Sequence, residues 1–168
     1  MMNVARFGVG MEGVSVSERA YQRARDYAHE RIQGTDIGVR GGPRVPIIAH
    51  PDVRRMLMTM RAQAEATRAL AYVVASAHDA ATCHPDADQR KRNQAFVDLM
   101  IPVVKGWSTE IGIEVASLGI QVHGGAGVSD DFPLAAAYAS ARTLRFADGP
   151  DEVHRNQIGK MELARYLK

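Results

Sequence analysis

The sequence predicts an all-α fold, an antiparallel up-down bundle of the four-helix type, and three observations carry that expectation. Aromatic residues make up only 6% of the chain, alanine is abundant, and no stretch alternates β-branched with polar residues as a half-buried strand does. At 168 residues the chain can close one core, because a domain of that size buries roughly two-thirds of its unfolded surface. One domain spanning 1–168 is therefore expected. The formal charge is +2, from 21 basic and 19 acidic residues scattered along the chain, which argues against nucleic acid as a partner. The single cysteine, Cys83, forbids an intrachain disulfide and fits a reducing, cytoplasmic setting; it reads as a loop thiol. The N-terminal MMNVARFGVGMEGV lacks a basic region followed by an apolar run, and no window approaches the ~18 apolar residues of a membrane span. A soluble, unexported protein is the expectation.

In chain order, Val4, Phe7, Met11, Val14, Tyr21, Ala24, Ala28 and Ile32 recur at steps of three, four or seven and define one helical face. Gly8, Gly10 and Gly13 weaken that helix by up to ~1 kcal/mol each relative to alanine, so close approach of a neighbouring helix or ligand is their expected use. Residues 34–50 hold four glycines and two prolines with no periodicity and read as a long connection, the kind of segment that often contacts partners or ligands. A second helix starts at Pro51, with Asp52 complementing the positive end of its dipole. Its seam is Val53, Leu57, Met60, Ala64, Thr67, Ala71, Val74 and His78. No other histidine or cysteine lies at metal spacing from His78, so it reads as a core or boundary histidine and no metal site is expected.

CHPDADQ reads as a turn, and helix resumes near Asp88 until Pro102, where a kink or break near Met100 is expected. Val104, Trp107, Ile111, Val115, Leu118 and Val122 repeat the helical spacing up to the glycine cluster, with a left-handed cap at Gly124 or Gly125. Asp131 is a candidate cap for the next helix, whose inner face is Leu134, Tyr138, Ala141 and Leu144. Gly149 and Pro150 then end that helix and open the last one. Trp107, the glycines of the first helix and the long connection are candidates for a second apolar surface, which predicts a homodimer or higher oligomer, or else poor solubility.

The chemistry concentrates in Gln121–Asn156, QVHGGAGVSDDFPLAAAYASARTLRFADGPDEVHRN. Gly124, Gly125 and Gly127 let backbone approach something closely, and Asp148 stands beside Gly149 and Pro150 at a helix break. Taken alone, Asp148 is either a working carboxylate or a turn residue preceding Gly-Pro. Asp151 and Glu152 complement the dipole of the last helix, and His123 and His154 border the glycine loop or the surface.

Three segments carry a resemblance. RFGVGMEGVSVSERAYQRARDYAHERIQG, VKGWSTEIGIEVASLGIQVHGGAGVSDDFP and RTLRFADGPDEVHR resemble, in turn, the first helix, the flavin-contacting helix and loop, and the base-bearing segment of the C-terminal helical domain of the acyl-CoA dehydrogenase family. The likeness covers nearly the whole chain. It implies α-proton and β-hydride elimination from an acyl-CoA thioester in fatty-acid or related catabolism, with FAD as acceptor. It further implies that Asp148 is the catalytic base, a position usually held by glutamate in the family and by aspartate in an ADGPDE subgroup, with Arg6 nearby.

By the same resemblance Arg31 meets the FAD pyrophosphate, and Gln121, Gly124 and Gly125 form the loop that meets the same FAD, the cofactor being shared across a dimer interface. Guanidinium and exposed amides both suit phosphate oxygens. On the residues alone, Arg31 is equally readable as half of a solvated ion pair, and Arg6 as reaching water or pairing with Asp148. The family also carries an N-terminal helical domain and a middle β domain, so this chain is expected to be incomplete by itself. Its expected partners are an acyl-CoA substrate and either a second copy, as homodimer or homotetramer, or a complementing chain. A non-catalytic helical dimerisation or interaction domain is the alternative.

Overall fold

The computed structural model describes residues 2–167. Three long helices, α1 (Met2–Glu30), α2 (Pro51–Cys83) and α3 (Ala87–His123), are followed by two short ones, α4 (Leu134–Leu144) and α5 (Asp151–Ala164). α1, α2 and α3 alternate up, down, up. Gly10 meets α3 at Val104 and Lys105, Gly13 meets it at Ser108 and Thr109, and Ala20 lies near Gly119, so α1 and α3 run parallel. Glu18 of α1 pairs with Arg68 of α2, and Met60 of α2 reaches Gly119 near the far end of α3, so α2 runs the other way. α4 and α5 together form the fourth arm, descending along α3 with a break between them. The up-down helical bundle read from the sequence is the fold.

The core divides into two clusters along the bundle. One gathers Ala20, Ala24, Ala28, Leu57, Met60 and Val115; the other gathers Ala71, Val74, Val97, Ile101 and Val104. The small residues of α1 allow this packing. A Cβ on Gly13 would stand 2.5 Å from the Ser108 carbonyl oxygen and one on Gly10 2.9 Å from Val104 Cγ1. Both glycines are therefore consumed in the α1–α3 crossing and do not contribute to a second apolar surface. Trp107, 37% exposed, remains on the outside.

Several local expectations are corrected. The 34–50 connection is not wholly irregular: β1 (Ile32–Thr35) and β2 (Arg44–Pro46) form a two-stranded antiparallel hairpin, with Ile32 opposite Pro46 and Thr35 opposite Arg44. Ile32 thus belongs to a strand and not to the first helical face. α3 runs unbroken through Pro102 for 37 residues. A proline inside a helix costs about 3 kcal/mol, and here Pro102 is buried between Ile101 and Val104, whose packing against α2 holds the helix across it. Asp131 does not cap α4, which begins two residues later than that cap requires; Pro133 is the N-cap and its carbonyl receives the Ala137 amide. Tyr138 and His78 are exposed, and Cys83 is the exposed last residue of α2.

Candidate functional site

Two groups of residues stand apart along the bundle, one beside the middle of α3 and one at its C-terminal end. At the lower end of α4 the chain leaves helix after Leu144 and re-enters it at Asp151. The five residues 145–149 make a tight turn in which Asp148, at φ 53°, is the one described non-glycine residue with positive φ. Aspartate and asparagine tolerate that left-handed region better than other side chains do. Asp148 is therefore both a turn residue, as its place before Gly-Pro allows, and an exposed carboxylate. Arg6, on the first turns of α1, reaches this turn: its Nε donates to the Asp148 carbonyl oxygen at 3.2 Å and its Nη1 to Gln157 Oε1 at 2.8 Å. The pair expected from the sequence is thus brought together, through the main chain of Asp148 and not through its carboxylate.

Beneath the turn lies a buried polar cluster that the sequence did not disclose. Lys105 of α3 is fully buried, and its Nζ donates to the carbonyl oxygens of Arg145 and Gly149, both at 2.7 Å. Burial pushes the Lys105 ammonium below its ordinary pKa, while Asp151 and Asp148 oppose that shift. Arg145 Nε donates to Asp151 Oδ2 at 2.6 Å, and this hydrogen bond holds the guanidinium above its ordinary value. Asp151, placed in the first turn of α5, is thus an ion-pair partner as well as a dipole complement. His154 is 1% exposed; its ring packs against Gly149, and among the described residues neither nitrogen has a hydrogen-bond partner. Burial, then Lys105 and Arg6, drives its pKa down. Both expectations for His154 are overturned, since it lies neither at the surface nor beside the glycine loop but against Gly149, level with the middle of α3.

At the second of these, α3 stops at Gly124, whose φ of 60° and ψ of −137° lie outside the left-handed helical cap but still require positive φ. A cleft of about 340 Å³ opens there, lined by Arg31, Gln121 and Gly124 together with Tyr27, His50 and His123. Three of the four residues expected to hold cofactor thus share one cleft. Gly125 follows at the start of a short 3-10 turn, exposed and beside the cleft. Gly127 has a packing role instead: a Cβ there would stand 2.7 Å from the Ile120 carbonyl oxygen.

The cleft floor is built from stacked rings. His123 is buried, stacked on Tyr27 with ring centroids 4.2 Å apart and edge-on to Phe132, and its Nδ1 lies 2.9 Å from the Gly119 carbonyl. Burial lowers its pKa, the Gly119 hydrogen bond opposing. His50 ties the hairpin to the start of α2, its Nε2 lying 2.8 Å from the Gln33 carbonyl.

These residues fit an anionic, phosphate-bearing cofactor. Nothing lies within 4 Å of where a Cβ on Gly124 or Gly125 would be, so backbone is open to a ligand. Among the described residues the Arg31 guanidinium makes no ion pair or hydrogen bond, which sets aside the solvated ion pair and leaves a free cation on the rim. Among the described residues no group of acidic, histidine or cysteine side chains is arranged to hold a metal, and no helix is long and apolar enough to cross a membrane.

Comparison with known proteins identifies the family. Residues 1–163 match the family described as acyl-CoA dehydrogenase, C-terminal domain. The chain is 43% identical over 158 residues to 3-methylmercaptopropionyl-CoA dehydrogenase of Ruegeria pomeroyi, covering 94% of this chain and 27% of that protein. It is 38% identical over 134 residues to the broad-specificity linear acyl-CoA dehydrogenase FadE5 of Mycobacterium tuberculosis, covering 77% of this chain and 22% of that protein. Among solved structures, butyryl-CoA dehydrogenase of Megasphaera elsdenii superposes with a TM-score of 0.75 at 22% identity, over 96% of this chain and 37% of that one. The chain spans about a quarter of the length of the curated relatives it matches. It belongs to the acyl-CoA dehydrogenase family, and corresponds to that family's C-terminal helical domain.

Proposed function

We propose that this chain supplies the proton-abstracting carboxylate and half of the cofactor seat of a cytoplasmic, FAD-dependent acyl-CoA dehydrogenase, acting jointly with the N-terminal helical and middle β domains that the family resemblance implies. One observation carries the reading: Arg31, Gln121 and Gly124, far apart in sequence, line one cleft, while an exposed carboxylate is held in a left-handed turn beside the middle of α3. FAD, when bound, supplies the acceptor for the β-hydride of the acyl thioester. Arg31 offers a charge-assisted contact to phosphate oxygens, and the open backbone at Gly124 offers amides without a side chain in the way. Asp148 takes the α-proton on a carboxylate oxygen. Arg6 holds the main chain from which that carboxylate projects, leaving both oxygens free to act.

The test uses the assembled enzyme, with this chain joined to or complexed with its complementing domains. Asp148→Asn keeps the left-handed turn, since asparagine tolerates it equally, and removes the proton acceptor. FAD content is expected to stay at the parental level while bleaching of the flavin by acyl-CoA falls at least ~100-fold. Arg31→Ala is expected to do the reverse, weakening FAD retention by ~1.5 to 3 kcal/mol. Parental bleaching by the Asp148→Asn enzyme would transfer the role of base to another carboxylate, Glu152 first. A chain that self-associates and stays colourless with FAD and complementing domains present would favour the interaction domain.

A further inference from the structure

Resting on the reading of Asp148 as base, we infer that Lys105 is the positioning residue of that base: its buried ammonium staples the two ends of the 145–149 turn and so fixes where the Asp148 carboxylate stands. The C-terminal end of α4 leaves carbonyls without helical partners, that of Arg145 among them, and the turn before α5 leaves the Gly149 carbonyl outside any helix. Lys105 Nζ donates to one carbonyl on each side of the break, that of Arg145 at the end of α4 and that of Gly149 just before α5, both at 2.7 Å. The two oxygens are therefore held no further apart than twice that distance, and a five-residue segment closed so tightly has little freedom to move Asp148.

The staple reaches the turn from a stiff base. Lys105 lies at the crossing where Gly10 brings α1 against α3, a Cβ on Gly10 standing 3.4 Å from the Lys105 main chain. Arg6, one turn earlier on α1, holds the same turn from its outer side through the Asp148 carbonyl. The Arg145–Asp151 ion pair spans the turn independently. Desolvating an ammonium is costly unless its protons are well bonded, and here that cost is met at the one described segment whose non-glycine backbone is strained. A side chain needed only for packing would be served by methionine. The two carbonyl contacts require an N–H donor of lysine's reach.

Hydrogen exchange on the chain itself tests the staple. In Lys105→Met, the amides of Phe146, Ala147 and Gly149 are expected to exchange at least tenfold faster while those of Val115 and Val122 in α3 change less than twofold. Equal acceleration in both sets, or none in the turn, would overturn the proposal. A second variant covers a failure of Lys105→Met to fold. Lys105→Cys in a Cys83→Ser background, aminoethylated in denaturant and refolded, regains an ammonium at the same reach and is expected to recover the protection of the turn; turn amides that stay fast in refolded, aminoethylated protein would also overturn it. In the assembled, FAD-loaded enzyme, Lys105→Met is expected to lower kcat at least tenfold with KM within threefold and flavin content unchanged. An unchanged kcat with Asp148→Asn inactive removes Lys105 from the reaction, whereas parental turnover by Asp148→Asn removes Asp148, and the staple's purpose with it.

Discussion

The guanidinium of Arg6 is bonded to the main-chain oxygen of Asp148, 142 positions away in sequence, and leaves the Asp148 carboxylate without a hydrogen-bond partner among the described residues. A pair through the carboxylate would hold the acid ionised but block the oxygen that the proposed base uses to accept a proton. A pair through the carbonyl fixes the backbone and leaves the acid free. Arg6→Met is expected to lower the unfolding free energy by only about 1 kcal/mol, since the contact is near the surface. Turnover of the assembled enzyme should fall about tenfold through misplacement of the carboxylate. Urea denaturation and steady-state kinetics check the two halves, and a variant with reduced stability but parental kcat would deny Arg6 any share in positioning.

Asp148 sits where most side chains are strained, at φ 53°. Aspartate and asparagine are enriched in that region, glutamate is not. Asp148→Asn should therefore unfold at the parental midpoint, while Asp148→Glu, though it keeps the acid, should lose about 1 kcal/mol of stability. Thermal denaturation of the three proteins decides this, and a glutamate variant as stable as the parent would mean that the turn adapts to its side chain. The aspartate at this position then has a local cause: the turn that presents the acid also selects the shorter one.

Much of this was legible because it is written locally. Helical periodicity places Leu57, Met60, Ala64, Ala71 and Val74 on the buried face of α2, and the glycine step after His123 marks the end of α3. Arg31, Gln121 and Gly124 were legible through the family likeness, and only the fold shows that they share a cleft. Lys105 was not legible. A lysine on a helix ordinarily reaches water, and the two carbonyls that hold it lie 40 and 44 residues further on. Pro102 misled for the same reason, because the tertiary packing that carries α3 through it has no signature near the proline.

Two buried histidines make stability fall on mild acidification. Burial lowers the pKa of both His123 and His154 below the ordinary 6.5, so in the folded state they stay neutral where the unfolded chain would take up protons. The unfolded state binds more protons as pH drops below 6.5, and stability that is fully present above that value is lost as pH falls toward the folded pKa of each group. The greatest slope is about 1.4 kcal/mol per histidine per pH unit. Urea midpoints at pH 7.5 and 5.5 should differ in that direction, and His123→Phe, which keeps a ring against Tyr27, should remove part of the difference. A midpoint independent of pH over this range would contradict the burial of both rings.

Gly10 lies against Lys105, whose ammonium bonds the 145–149 turn, and Arg31 follows 21 residues later just past the end of α1, so the Asp148 turn and the Arg31 cleft stand roughly 30 Å apart at the helical rise of 1.5 Å per residue. A single reaction centre cannot use both groups from one copy. If two copies associate so that the Asp148 of one faces the Arg31 cleft of the other, a mixed dimer of Arg31→Ala and Asp148→Asn chains contains one centre with both residues intact and one with neither. If each centre belonged to a single chain, neither centre of the mixed dimer would be whole. Differently tagged variants, purified as the mixed species in the assembled enzyme, are therefore expected to recover about half of parental turnover, since a two-fold dimer holds two equivalent centres. Recovery no greater than the mean of the two parent variants would place Arg31 and Asp148 in centres that are not shared, and with it the cleft outside the site that Asp148 serves.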